Sequence, residues 1–393
     1  MTAEKIETTI DRIAFGGSGV GRLPNGMVCF VPGVIAGEKV AVEVVTEKKK
    51  FAIAKLLEVL EPSPHRVAVE TPVPGGVYMH MTYEEENRIK QAQLLDFFHR
   101  QAPTACENCD FREPLIPSQP LHYRNKVVLH YQEGRLGYFA EDNRTVEDVP
   151  FCPFADSEVA VKLAEIRSNM QSVTLQNDDK VTIRHAANGV FHWVNNAPED
   201  IPNLLYHTPC GTLEIAPDSF YQVNDEGAAI MQNEVLSMLE NLTDEPSSFL
   251  DLYCGAGFFS LAAAKAGIGK IIGADIDTNA AAAAAANLRR AGYEDKARFH
   301  GFAANLIVAR LIKKSGENPI LLVDPPRHGL DQDTASQICT SHVRELIYVS
   351  CGPDTLVRDL KLLVSAGFTV ESNVMINMFP RTAHIESITR LRR

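Results

Sequence analysis

The sequence predicts an α/β protein, in which a doubly wound, Rossmann-like parallel sheet follows an N-terminal small β-barrel and a central α+β region. Two observations favour this class. Short strands and glycine-rich turns fill the first 60 residues or so, and strands alternate regularly with helices after Pro209. The 393-residue chain is also too long for one ordinary core. We expect three domains: an OB-like barrel over 1–62, an α+β domain over 63–208 and the sheet domain over 209–393.

Composition excludes several classes of protein. Hydrophobic residues make up 45% and charged residues 22% of the chain, which is typical of a globular protein and not of a disordered or fibrous one. We expect no membrane segment and a cytoplasmic location, because no apolar run approaches the roughly 20 residues of a membrane helix. Eight scattered cysteines do not resemble a disulfide framework. The net charge of −12 argues against a generally basic, nucleic-acid-binding surface, although local patches can override it.

The barrel prediction depends on short strands separated by turn signals. Glycine-rich turns are expected at 16–19 and at Asn25-Gly26. The four predicted strands are IETTIDRIAF, MVCFVPG, EKVAVEVVTEKK and FAIAKLLEVLE. Prolines between 62 and 74 then mark a linker.

The central region mixes helices with alternating strands. A helix is predicted from Tyr83 to Arg100, and a second one near 156–175. The predicted strands are KVVLHYQ, RLGYFA and KVTIRHA.

The last region has the clearest alternation. Helices are predicted over 278–290 and 353–366. The predicted strands are SFLDLY, KIIGADI, PILLVDPP, ELIYVSC and FTVESNVMINMF.

A cofactor site is predicted where the strand FLDLY runs through Gly255 and Gly257 into a helix. Small residues there allow a ligand to approach the backbone at a helix N-terminus. About 20 residues further on, Asp275 ends a second strand, where a carboxylate can accept both ribose hydroxyls of an adenosyl group. A tight turn without a ligand is the alternative.

Asp324 is a third candidate at a strand end. It follows the strand PILLV, and Pro325 and Pro326 stiffen the backbone after it. A carboxylate held in this way suits the edge of a nucleobase or the amine of a cofactor, and an ordinary loop is the alternative.

Cys351 is the candidate nucleophile. It follows the strand ELIYVS and precedes Gly352-Pro353, which we expect to open a helix whose N-terminus lowers the pKa of the thiol. Inert packing is the common role of such a cysteine, but this one is expected at the same sheet edge as Asp324. Glu386 begins the last predicted strand and is a candidate base near the same cleft.

Several motifs occur in order along nearly the whole chain: GGSGVGR, HYRNK, SFYQVN, DLYCGAG, DPPRHGL, VSC and FPRTAHIE. With them the chain resembles the class I S-adenosylmethionine-dependent RNA (uracil-5-)-methyltransferases with an N-terminal TRAM domain, and in particular the 23S rRNA 5-methyluridine methyltransferases.

The resemblance implies that Gln222, Tyr253, Asp275 and Asp324 line the S-adenosylmethionine site. It also implies that the Cys351 thiolate adds to carbon 6 of a uracil, so that carbon 5 can accept the methyl group, and that Glu386 then removes the carbon-5 proton. The target base must first leave its stack. Phe220 and Tyr221 are candidates to stack on it, or are simply core residues.

One departure from the family concerns the iron-sulfur cluster that many members carry on four cysteines. The stretch 68–77 lacks three of them, and only Cys152 matches the fourth, so we expect the cluster to be absent. Cys106 and Cys109 have the spacing of metal ligands and could form a displaced site with Cys152. Ordinary reduced thiols are the simpler interpretation. A second departure is Gly352, where the family usually has asparagine.

The expected partner is RNA, with rRNA favoured over tRNA because of the barrel, and no obligate protein partner. The alternatives are methylation of cytosine carbon 5 or of an exocyclic amine, and a non-catalytic RNA-binding protein. Amine methylation needs no nucleophilic cysteine, and a non-catalytic protein needs no cofactor affinity. The basic residues considered for RNA contact are Lys48, Lys49, Lys50, Arg124, Lys126, Arg390, Arg392 and Arg393.

Overall fold

The computed structural model describes residues 5–140, 142–170, 175–242 and 244–393. These residues form a closed five-stranded barrel and three further sheets of five, two and eight strands. Over these ranges, none of the helices combines the length and the apolar character needed to cross a membrane.

The barrel closes in the order β1-β2-β3-β5-β4 around an apolar interior. Its strands are β1 (Ile6–Ile13), β2 (Gly19–Arg22), β3 (Val28–Val31), β4 (Lys39–Glu47) and β5 (Phe51–Glu61). The prediction of a turn through Gly19 was wrong, because Gly19 starts β2 and pairs with Val31. A Cβ at Gly19 would lie 2.2 Å from Val34 Cγ2, so close packing explains the glycine.

Helix α1 (Tyr83–Gln101) joins the barrel to the C-terminal region. Thr82 caps its N-terminus by accepting a hydrogen bond from the Glu85 amide at 3.3 Å. Ile89 belongs to the barrel core, whereas Leu94 and Phe98 belong to the core of the C-terminal sheet. The helix is therefore buried from two sides.

The central sheet has the order β11-β10-β7-β8-β9. The elements of this region are β6 (Asp110–Phe111), β7 (Lys126–Gln132), β8 (Arg135–Phe139), β9 (Val146–Asp148), α2 (Ser157–Ser168), β10 (Lys180–Ala186), β11 (Gly189–Val194), β12 (Leu204–Thr208) and β13 (Gly211–Ile215). Helix α2 ends at Ser168, short of the predicted end near 175. Part of that prediction, 171–174, lies outside the described residues.

The eight-stranded sheet has the order β16-β15-β14-β17-β18-β20-β19-β6. Its strands after β6 are β14 (Ser248–Leu252), β15 (Ile271–Asp275), β16 (Ala297–Gly301), β17 (Pro319–Val323), β18 (Glu345–Ser350), β19 (Thr369–Ile376) and β20 (Glu386–Arg392). The helices are α3 (Asp225–Glu240), α4 (Phe258–Lys265), α5 (Thr278–Arg290), α6 (Ala304–Lys314), α7 (Gln332–Cys339) and α8 (Pro353–Ser365). Strands β14 to β18 are parallel, but β20 lies between β18 and β19 and is antiparallel to both. The predicted doubly wound parallel sheet is confirmed, and β20 is its one antiparallel strand among the described residues.

Candidate active site

The carboxyl ends of the parallel strands collect most of the predicted site residues at one edge of the sheet. Tyr253, Asp275 and Asp324 directly follow or end β14, β15 and β17. Leu252 pairs with Val323 across β14 and β17, so Tyr253 and Asp324 leave the sheet side by side. This is the edge at which open α/β sheets bind ligands.

The turn after β14 is held in a left-handed backbone conformation. Tyr253, Gly255 and Gly257 have φ values of 64°, 51° and 89°. The Gly255 amide donates a hydrogen bond to Asp275 Oδ2 at 2.9 Å. A Cβ at Gly257 would lie 3.1 Å from Leu288 Cδ2 on the neighbouring region of α5, whereas one at Gly255 would meet nothing within 4 Å. Gly257 therefore serves helix packing, and Gly255 borders open space.

Two exposed apolar side chains lie beside Asp275. Asp275 pairs with Gly301 across β15 and β16, and the residues that follow them are Ile276 and Phe302. Their side chains are 74% and 55% exposed. Neither residue was predicted as part of the site. Each is an apolar residue directly after a strand end, next to Asp275 or to its pairing partner Gly301, and that pattern could have indicated a ligand-contacting position.

Buried carboxyl groups accumulate beneath this edge. Burial, opposed by the Ser260 hydrogen bond, raises the pKa of Asp251 to about 7. Burial and the charges of Asp251 and Asp275 raise the pKa of Asp324 to about 7. Asp251 Oδ2 accepts a hydrogen bond from Ser260 at 2.6 Å, while its Oδ1 has no partner among the described residues. The carboxyl groups at this edge outnumber the positive charges that the protein provides beside them. A cationic ligand would therefore bind favourably here.

Cys351 and Glu386 are neighbours because β20 is antiparallel. Ser350 pairs with Ser387 in antiparallel register, so Cys351, which follows Ser350, comes close to Glu386, which precedes Ser387. Cys351 is half-buried and Glu386 is buried.

The electrostatics of this pair differ from the prediction. Burial, followed by the charges of Glu386 and Asp324, raises the pKa of Cys351 to about 12. The expected lowering of its pKa was wrong, because α8 begins two residues later and its N-terminus does not outweigh burial and two carboxyls. Burial also raises the pKa of Glu386 well above its ordinary value, and Asp324 adds to the shift.

Arg327 and His384 complete the surroundings of the pair. The positive charge of Arg327 lowers the pKa of both Cys351 and Glu386, against the larger upward shifts. Arg327 Nη2 lies 3.5 Å from His384 Nε2. Burial, then Arg327, lowers the pKa of His384 to about 4, so this ring is neutral at pH 7. Both residues lie in motifs that carry the family resemblance, but neither was predicted to have a role.

The segment before α3 places its aromatic residues in different environments. Phe220 is 75% exposed. Tyr221 is buried and stacks on Tyr206 with ring centroids 3.9 Å apart, which fits the alternative that it is a core residue and not one that stacks on a target base. Gln222 is half-buried, and its main-chain oxygen accepts a hydrogen bond from Asn125 Nδ2 at 3.0 Å.

The three candidate metal-binding cysteines lie in two separate places. Cys106 and Cys109 pack against the core of the C-terminal sheet. Cys152 is buried in the central core, with its Sγ 3.4 Å from Tyr138 Oη. In the part of the chain that the structure describes, no group of three or more His, Cys, Asp or Glu side chains is arranged to hold a metal ion. The structure therefore does not assemble the displaced site.

The C-terminal arginines considered for RNA contact bind protein groups instead. Arg390 pairs with Glu371 at 3.2 Å, and Arg392 pairs with Glu345 at 3.0 Å. Arg393 donates hydrogen bonds to the main-chain oxygens of Val343 and Cys339 at 2.7 and 2.9 Å. The side-chain donors of these arginines therefore stabilise the fold.

Comparisons with known proteins agree with this architecture. A family model described as tRNA (Uracil-5-)-methyltransferase matches residues 212–393, and a TRAM domain model matches residues 1–57. An uncharacterised RNA methyltransferase of Bdellovibrio bacteriovorus is 29% identical over 411 residues, covering 100% of this chain and 96% of the relative. A Legionella pneumophila protein named 23S rRNA (uracil(1939)-C(5))-methyltransferase is 29% identical over 437 residues, covering 96% and 95%.

The fold also matches a solved structure. The Pyrococcus abyssi tRNA (uracil-54, C5)-methyltransferase, solved in complex with S-adenosyl-L-homocysteine, superposes with a TM-score of 0.76 at 22% identity, covering 98% of this chain and 99% of that one. This likeness shows that the two proteins share a fold. The C-terminal region thus matches the tRNA (uracil-5-)-methyltransferase family and the N-terminal region matches TRAM domains, so the chain is similar to RNA (uracil-5-)-methyltransferases that carry a TRAM domain.

Proposed function

We propose that this protein methylates carbon 5 of a uridine in structured RNA, with 23S rRNA as the substrate, through a covalent bond from Cys351 to carbon 6. The observation that carries the proposal is the pairing that places Cys351 opposite Glu386 beside the acidic strand ends. A nucleophile and a base are the two groups that this chemistry requires of the protein.

The residues proposed to hold S-adenosylmethionine are Gln222, Tyr253, Gly255, Gly257, Asp275 and Asp324. The open space at Gly255, the exposed Ile276 and Phe302, and the acid excess fit an adenosyl group with a cationic centre. Asp275 would accept the ribose hydroxyls, and the two apolar side chains would flank the adenine. Bound there, the cofactor supplies an electrophilic methyl group on a sulfonium sulfur.

Cys351 is proposed to add its sulfur to carbon 6, which moves the electrons of the 5,6 double bond toward carbon 5 and oxygen 4. After methylation of carbon 5, the Glu386 carboxylate removes the proton from that carbon, and elimination releases the Cys351 thiolate. The Cys351 thiol, with a pKa of about 12, holds its proton at pH 7, and burial raises the pKa of Glu386 well above its ordinary value. The negative charge of Asp324 raises the pKa of both Cys351 and Glu386. A cation bound beside Asp324 would offset that charge and lower both pKa values, as Arg327 also does.

Several finer assignments belong to the same proposal. Phe220 is proposed to stack on a base that has left its helix, which its exposed ring supports. The name of the Legionella relative and the TRAM barrel support rRNA over tRNA. We also propose the domain division 1–62, 63–208 and 209–393, a cytoplasmic location, no iron-sulfur cluster and no obligate protein partner.

Mass spectrometry of nucleosides tests the proposal. Unmodified bulk RNA is incubated with the purified protein and methyl-labelled S-adenosylmethionine, with Cys351→Ala in parallel. Labelled 5-methyluridine that disappears with Cys351→Ala is the expected result. Label on cytidine or on an amine, or activity that survives the substitution, would replace this function with another base methylation, and no label on any RNA would indicate a non-catalytic protein.

A further inference from the structure

Arg124 carries a buried donor that the rest of the protein leaves unsatisfied. Its Nε has no hydrogen-bond partner within the described ranges of the chain. Its guanidinium carbon lies 5.8, 5.7 and 6.0 Å from the ring centroids of Tyr123, Phe154 and Phe379. A buried donor without an acceptor costs about 1–3 kcal/mol. An acceptor that is not part of the chain would remove this cost.

The position of Arg124 is fixed beside the catalytic loop, the segment 377–385 between β19 and β20. The Arg124 amide donates to the Phe154 main-chain oxygen at 2.7 Å, and its own main-chain oxygen accepts from the Asp156 amide at 2.9 Å. The Tyr123 hydroxyl donates to the Pro380 main-chain oxygen at 3.0 Å. The guanidinium is therefore presented next to the loop that leads into Glu386.

Arg327 also lies beside this loop, with its Nη2 3.5 Å from His384 Nε2. Both arginines act on His384, since the charge of each lowers the pKa of that ring. Arg327 is exposed, and no carboxylate among the described residues forms an ion pair with it or with Arg124. Two guanidinium groups without a carboxylate partner, both close enough to lower the pKa of one imidazole, are unusual in a chain with a net charge of −12.

We infer that Arg124 and Arg327 bind a phosphodiester of the substrate RNA, adjacent to the nucleotide that enters between Cys351 and Glu386. The planar guanidinium matches phosphate oxygens with paired donors, and the rings around Arg124 keep it in one orientation. A phosphate contact positions RNA without reading its sequence. Here it would help to hold an unstacked nucleotide, which costs a few kcal/mol to expose. The inference rests on the proposed RNA substrate.

The salt dependence of RNA binding tests this site without requiring methylation. Unmodified 23S rRNA transcript is bound to wild type, to Arg327→Gln and to Arg289→Gln at several salt concentrations. Arg289 is an exposed arginine that pairs with Glu294 at 2.9 Å, so its substitution removes the same charge elsewhere. Loss of one phosphate contact lowers the slope of log K against log salt by about 0.7 in single-stranded RNA. We expect this change for Arg327→Gln and not for Arg289→Gln.

A second measurement localises the contact. Two short RNAs contain the uridine that is to be methylated. In one of them a methylphosphonate replaces the phosphate on the 5′ side of this uridine, and in the other it replaces the phosphate on the 3′ side. At one of the two positions wild type is expected to lose about tenfold in affinity, the size of a charged hydrogen bond. Arg327→Gln and Arg124→Gln should lose nothing further from that replacement. Arg327 is exposed, so its variant keeps the test valid if Arg124→Gln does not fold.

The outcomes separate this inference from the proposed function. Wild-type salt slopes and full methylphosphonate penalties in Arg327→Gln would overturn the phosphate site, even if the protein forms 5-methyluridine. Absence of 5-methyluridine would overturn the proposed function, whereas the salt slopes would still decide whether Arg327 contacts RNA.

Discussion

Ser350 and Ser387 are direct partners in the antiparallel pairing of β18 with β20, and their neighbours Cys351 and Glu386 therefore meet at the carboxyl edge of the sheet. A parallel last strand would have carried Glu386 to the opposite edge, since β20 begins with this residue. The insertion of one antiparallel strand thus assembles the proposed nucleophile and base.

Glu386→Gln tests the role of the base. General-base catalysis contributes about 10²- to 10⁴-fold, so we expect the rate of 5-methyluridine release to fall by that range. The covalent Cys351–RNA species should accumulate, because the carbon-5 proton remains in place. Rapid-quench kinetics with denaturing gels measure both quantities. Glu371→Gln, on the neighbouring strand β19, is the control and should behave as wild type; equal adduct levels in the two variants would contradict the assignment.

Asp275→Asn tests the cofactor site. A hydrogen bond to a charged group contributes about 1.5–3 kcal/mol, which predicts at least about tenfold weaker binding of S-adenosylhomocysteine by calorimetry. The Gly255 amide also loses its carboxylate partner. Asp295→Asn makes the same change at an exposed position and should leave the affinity unaltered. Unchanged affinity in Asp275→Asn would place the ribose elsewhere.

Asp251→Asn tests the buried acid through the pH dependence of stability. The pKa of Asp251 rises from 3.8 to about 7 on folding, so the folded state binds its proton more tightly than the unfolded state. Its contribution to stability is fully present below pH 3.8 and is lost as the pH rises toward 7. Urea unfolding of wild type should show this loss between pH 5 and 7, at up to about 1.4 kcal/mol per pH unit from this group. Asp251→Asn should have a flatter profile, and identical profiles would show that Asp251 ionises normally.

Lys90→Met tests the buried ion network that holds the catalytic loop. Lys90 Nζ lies 2.8 Å from Glu86, 2.8 Å from Asn377 Oδ1 and 3.0 Å from the Phe379 main-chain oxygen. Removing one partner of a buried pair costs about 3–5 kcal/mol, which urea unfolding should detect. Arg88→Ala is the control on the same helix: its pair with Glu85 is largely exposed on the Arg88 side and should be worth at most about 1 kcal/mol. Equal losses in the two variants would contradict a special role for Lys90.

Local patterns predicted many elements because their causes lie within a few residues. Strand β10 and helix α5 have the predicted bounds, since alternation or a run of alanines after Asp277 is sufficient to define them. Helix α1 also begins at the predicted residue, with Thr82 as its cap.

Other features depend on contacts between distant segments. Strand β16, with the sequence ARFHG, was missed because pairing with β15 defines it more than its own composition. The pKa of Cys351 rises because the fold buries the thiol and brings Glu386 and Asp324 to it from other strands. Lys90 is fully buried only because Glu86 on its own helix and Asn377, far along the chain, provide its partners. No pattern within α1 indicates those contacts.

The most direct test of the covalent mechanism uses RNA in which 5-fluorouridine replaces uridine. Fluorine occupies the position from which Glu386 would remove a proton, so the bond between Cys351 and carbon 6 cannot be released. Wild type and Cys339→Ala, incubated with S-adenosylmethionine and this RNA, should form a protein–RNA complex that survives denaturation, and mass spectrometry should place the link on Cys351. Cys351→Ala should form none. A stable complex with Cys351→Ala, or 5-methyluridine made by that variant from ordinary RNA, would contradict the account.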